Sequence, residues 1–155
     1  MAALSPRLEA ELRTFCSHTV EDVVSRDSDQ DFTELREVLS DPQAEPALRR
    51  TAVHLLGRFG RPEAVPDIVR SIPHLDATAR ITAIDALGHL GGDEALAAVV
   101  DLSHHADPDV RRFVVTALDR MGSEPALAQL KKLSEADDSP MVRRKAERLL
   151  QRRHP

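Results

Sequence analysis

The chain has 155 residues, 41% apolar and 30% charged, a balance expected of one soluble domain or a short repeat array. Four Phe, no Tyr, no Trp and 10 Pro argue against an immunoglobulin-type sandwich, and abundant Ala, Leu, Arg, Glu and Asp favour helix. One Cys excludes an intramolecular disulfide framework and a CxxC zinc site, and a formal charge of −5 from 21 basic and 26 acidic residues does not suggest a general nucleic-acid binder.

The N-terminus carries Arg7, Glu9 and Glu11 and no apolar h-region, so no signal peptide is expected. No run approaches the ~18 apolar residues of a membrane span. These features make the cytoplasm the expected compartment and exclude a membrane partner. Ser5-Pro6 is a cap-plus-proline start signal. Leu8, Leu12, Cys16, Val20 and Val23 then form a stripe along one long helix near 6–25. Cys16 on that stripe reads as a buried, inert thiol. Asp27-Ser28-Asp29-Gln30-Asp31 imitates the start of a calcium loop, but Phe32 and Val38 stand where its Gly and Glu are required. Asp31 is expected to cap a helix near 31–40 carrying Phe32, Leu35, Val38 and Leu39.

From there the chain repeats. Gly60, Gly91 and Gly122 lie 31 residues apart, with Leu56, Leu87 and Leu118 four residues before them. Ala64-Val65, Ala95-Leu96 and Ala126-Leu127 keep the same phase, as do Arg49, Arg80 and Arg111. Ser139-Pro140, Val142-Arg143 and Ala146 begin a partial copy. Each unit reads as two helices. Asp76, Asp107 and Ser139 are N-caps, Pro108 and Pro140 suit the first turn, and Gly122 stops its helix in the left-handed conformation. The predicted helices lie near 6–25, 31–40, 46–59, 62–72, 77–90, 94–104, 108–121, 124–135 and 140–152. One domain, 1–155, is expected, with 1–45 as a divergent cap and 46–155 as repeats.

Asp107-Pro108-Asp109-Val110-Arg111 with Ala117-Leu118, and Ala86-Leu87-Gly88-His89-Leu90-Gly91 with Glu94-Ala95-Leu96, resemble the HEAT-like repeats first associated with phycobilisome lyases. The resemblance covers roughly 45–150. It implies an all-α fold, a right-handed α-α superhelix of about four hairpins plus a terminal helix. It also implies second helices on the concave side and first helices on the convex side. It does not fix a function. Independently, one hairpin cannot bury its apolar stripe, whereas stacked hairpins share a core. Glu45/Arg49, Asp76/Arg80 and Asp107/Arg111 are expected as i,i+4 ion pairs.

Some HEAT-like hydroxylases hold two iron ions through His-Glu pairs, and this chain has no His-Glu dipeptide. Asp101, His104, His105 and Asp107 cluster at a helix end, where His complements the dipole more simply than it binds metal. No cofactor, metal or catalytic residue is therefore expected. Charge is graded along the chain, net −7 over 1–45, −2 over 46–130 and +4 over 131–155. On the second helices, Glu34, Glu37, Asp67, Arg70, Asp101, Gln129 and Lys132 fall between apolar positions and are expected to contact a partner. On the first helices, Arg50, Arg58, His89, Arg112, Arg120, Arg144, Arg148 and Arg152 form a basic ridge. The ridge lacks interleaved aromatics for base stacking, so nucleic acid is disfavoured. The expected role is a non-catalytic scaffold or adaptor for another protein, with head-to-tail self-association as a further option. A lyase-type or chaperone-like enzyme subunit is the alternative, and phosphate-backbone binding by the ridge a third.

Overall fold

The computed structural model of the chain describes residues 4–14 and 17–153, and the expectation for Cys16 lies outside them. Ser5 Oγ accepts from the Leu8 N–H and Pro6 occupies the first turn, starting α1 (Pro6–Arg13). α2 follows as Ser17–Arg26. The single long helix expected near 6–25 is thus two. Thr14 closes α1, its N–H on the Ala10 carbonyl and its backbone, at φ −98° and ψ 23°, outside the helical region. α3 (Asp29–Ser40) is capped by Ser28, whose side chain accepts from the Asp31 N–H. Asp31 is therefore not the cap; it is buried and paired with Arg7 and Arg26.

The repeats supply α4 (Pro46–Phe59), α5 (Val65–Ser71), α6 (Ala77–Leu90), α7 (Asp93–Leu102), α8 (Pro108–Met121), α9 (Glu124–Ala136) and α10 (Pro140–Arg153). The expected helix 62–72 is broken into a 3₁₀ turn at Pro62–Ala64, α5, and a second 3₁₀ turn at Ile72–His74. Pro62, Pro66 and Pro73 each remove a backbone donor, which leaves only short helical pieces. Asp76 Oδ1 accepts from Ala79 N–H at 2.7 Å and Asp107 Oδ1 from Asp109 N–H at 2.8 Å, capping α6 and α8. Gly60 and Gly122 end α4 and α8 at φ 69° and 62°, where a Cβ would be strained.

The helices stack in two rows. α4, α6, α8 and α10 form one, α3, α5, α7 and α9 the other, and the first row has the more extensive neighbour contacts. The core runs between the rows. Leu56, Leu87 and Leu118 are fully buried in it at the repeat interval. Small residues let the first row close up. A Cβ on Gly57 would lie 2.7 Å from Ala86 Cβ, and one on Gly88 3.0 Å from Ala117 Cβ. Among the described residues the fold is all helix, an all-α solenoid.

Gly57→Ala tests this close approach. Within a helix the change favours folding by ~1 kcal/mol, but here it overfills the contact, an effect of about 1–3 kcal/mol. Urea denaturation is expected to give a net loss for Gly57→Ala. Leu118→Ala, which empties the core instead, is expected to lose about 2–5 kcal/mol.

Candidate functional site

The repeated arginines do not form the expected i,i+4 ion pairs. Arg49 donates to the Asp41 carbonyl at 2.7 Å, Arg80 to that of Leu75 at 3.0 Å, and Arg111 to those of His105 and Ala106 at 2.8 and 3.0 Å. Arg143 donates to the Asp137 carbonyl. Each guanidinium thus satisfies backbone acceptors in the loop before its own helix, while Asp76 and Asp107 act as caps. Arg111 also grips Asp137 through two bonds of 2.8 and 2.9 Å. Burial alone raises the Asp137 carboxyl, but Arg111 and the Ser139 N–H outweigh it and hold the group below the ordinary carboxylate range.

The expected contact residues on the second helices divide in two. Glu34 is buried and accepts from Ser5 N–H at 2.9 Å, Ser5 Oγ at 3.0 Å and Gln30 at 2.8 Å. Burial raises its carboxyl, yet these bonds bring it below the usual range. Asp67 is also buried, between Arg36 and Arg70. Both were expected in solvent; a partner from another segment draws each inward. Gln129 is half-buried and donates to Ser103 Oγ at 2.9 Å. Glu37, Arg70, Asp101 and Lys132 are exposed. Lys132 borders an open cleft with His104, His105 and Asp138. Among the described residues no three His, Cys, Asp or Glu side chains converge to hold a metal ion.

The ridge on the first helices is partly neutralised. Arg120 Nη1 lies 2.7 Å from Asp85 Oδ1, His89 Nε2 3.6 Å from Asp85 Oδ2, and Arg112 Nη1 2.9 Å from Asp109 Oδ1. Arg50, Arg58, Arg144 and Arg148 are exposed and have no carboxylate partner among the described residues. Two residues beside this ridge escaped the sequence reading. Phe113 and Met141 are the exposed large apolar side chains of the described chain. Their signal was faint: each stands next to an inward residue, Val114 or Val142, at the edge of the apolar stripe.

The geometry defines a helical-repeat stack with no described helix long and apolar enough to cross a membrane. The sequence profile of the HEAT repeats matches residues 32–104 and 70–151, and the chain belongs to that family. Among solved structures, the complex of CpcE and CpcF of phycocyanin lyase from Nostoc sp. PCC7120 is similar with a TM-score of 0.73 at 14% identity, over 92% of this chain and 97% of that one. Human deoxyhypusine hydroxylase in complex with glycerol is similar at a TM-score of 0.45 and 18% identity, over 96% and 74% of the two chains. At 14% identity the first likeness shows the fold alone. No curated protein matches the chain.

Two measurements check these assignments. Asp67→Ala leaves two arginines without their acceptor and is expected to cost about 1–3 kcal/mol, while Glu37→Ala stays within ~0.5 kcal/mol. Equal effects in thermal melts would refute the division. Asp137, with its lowered carboxyl, stabilises the fold above the ordinary carboxylate range and loses that contribution as pH falls through its folded value. Denaturation across a pH series should therefore show Asp137→Asn less stable than the parent at neutral pH, with the gap narrowing below about pH 4.

Proposed function

We propose that the chain is a non-catalytic protein-interaction module, a scaffold or adaptor working in the cytoplasm as one solenoid unit with residues 1–45 capping repeats 46–155. The observation that carries this reading is the division of its charges. Asp31, Glu34, Asp67, Arg111 and Asp137 are engaged within the stack. Glu37, Asp101 and Lys132, with Arg50, Arg144 and Arg148, face solvent without a charge partner among the described residues. Such a preformed polar surface loses little ordering entropy when a protein docks on it. On the second helices the contact set that fits is Glu37, Arg70, Asp101, Gln129 and Lys132.

A lyase-type enzyme subunit is the alternative, supported by the fold shared with the phycocyanin lyase complex. Affinity capture from the native host with mass spectrometry tests the main reading. The expected result is a stoichiometric protein partner. Binding should then weaken when Glu37, Arg70, Asp101 and Lys132 are reversed in charge, in a variant shown to fold. Stoichiometric binding of a tetrapyrrole without a protein partner would instead support the enzyme subunit. Steeply salt-dependent binding to DNA or RNA would support phosphate recognition.

A further inference from the structure

α10 carries six basic residues and one acidic residue, Glu147. Val142 and Ala146 are its buried side. Met141, Arg144, Lys145 and Arg148 follow one another at i, i+3, i+4 and i+7, and so share another face. Met141 is 53% exposed and Phe113, on neighbouring α8, 40%. Lys145 links the two helices. Its Nζ donates to the Arg112 carbonyl at 2.8 Å and lies 5.6 Å from the centre of the Phe113 ring. Burial lowers the Lys145 ammonium pKa, and Arg112 and Arg148 lower it further. An incoming carboxylate relieves that crowding of positive charge.

Resting on the reading above, we propose that Phe113, Met141, Arg144, Lys145 and Arg148 are the docking site for an acidic protein segment that carries an apolar anchor. The anchor packs on Phe113 and Met141, and its flanking carboxylates meet Arg144 and Arg148. Arg, Met and aromatic residues are the types enriched at interface centres, and Arg can hold a carboxylate through two bonds. The first-helix row is also the more closely packed of the two. Closer spacing puts it on the inner side of any curve the stack follows, the reverse of the convex placing expected for the first helices, and there one segment reaches several helices.

A second copy of the chain fits less well. Its acidic end exposes Glu9, Glu21, Asp22 and Glu37, but no large apolar side chain among the described residues to meet Phe113 and Met141. Contact of that head-to-tail kind also tends to leave open ends that continue to add copies. Nucleic acid fits less well because the apolar pair has no phosphate to contact and the chain carries a net charge of −5.

Fluorescence anisotropy tests the site with a labelled peptide of alternating Glu and Leu. A Glu–Ser peptide and a single-stranded DNA of equal charge are the comparisons. The Glu–Leu peptide is expected to bind best. Arg144→Glu with Arg148→Glu, and separately Phe113→Ser with Met141→Ser, should each weaken it about tenfold or more. Lys131→Glu with Glu135→Lys, an exposed pair on α9 outside both surfaces, should leave it unchanged. Melting temperatures check folding; if the Phe113 and Met141 variant is unstable, the arginine variant decides. No binding of the Glu–Leu peptide, equal binding of the Glu–Ser peptide, tighter binding of DNA, or loss only in the Lys131 and Glu135 variant each overturns the proposal. A stoichiometric host partner retained by both patch variants removes this site while leaving the interaction reading intact.

Discussion

Gly57 against Ala86, and Gly88 against Ala117, leave no room for one more methyl group. This steric limit sets the spacing of α4, α6 and α8, and with it how the leucines behind them share a core. Thirty-one residues beyond Gly88 the small residue is lost, and Asp119 stands in its place. α10 is held there differently: Arg153 Nε donates to Asp119 Oδ1 at 2.7 Å, and Lys145 reaches across to α8. The contact between α8 and α10 is correspondingly less extensive than that between α6 and α8. At this last step polar side chains, not backbone proximity, join the row, and Phe113 is left beside a cation instead of under a neighbouring helix.

The repeated arginines solve a second problem that stacking creates. Every second helix ends in carbonyls with no intrahelical donor, close to the start of the next unit. An arginine one turn into the following helix reaches back to the carbonyls of the connecting loop, at Asp41, Leu75, His105 and Asp137. Because the guanidinium has five donors, Arg111 serves two carbonyls and the Asp137 carboxylate together. The column is therefore a register device. It fixes each loop against its successor and keeps those charges from any partner.

The repeats were legible because their constraints recur: a left-handed glycine, a buried leucine and a capping Asp return at one interval. The N-terminal unit offered no second copy to compare. There the non-helical backbone of Thr14 and the cap at Ser28, both local features, set the helix ends. The surface was harder to read for another reason. Periodicity shows which residues leave the apolar stripe, but not which distant segment meets them. Glu34 and Glu37 look alike in sequence, yet Ser5, 29 residues away, binds only the first of these. Asp67 is taken inward by Arg36 in the same way. Phe113 and Met141 mislead in the opposite direction, since apolar residues flanking a stripe are ordinarily covered.

The graded charge and the apolar pair act over different distances. At physiological ionic strength, charges more than about 8 Å apart are largely screened. The contrast between an acidic N-terminal unit and a basic α10 therefore steers an approaching partner more than it holds one. Holding requires contact that excludes water, and the described surface offers large apolar side chains for this only at Phe113 and Met141. Their place within the most basic helix pair means that the end toward which an acidic segment is drawn is also the end able to retain it. Elsewhere on the first helices Arg50 and Arg58 carry equal charge with no exposed large apolar neighbour, so an encounter there lacks the second ingredient and is free to slide toward α10.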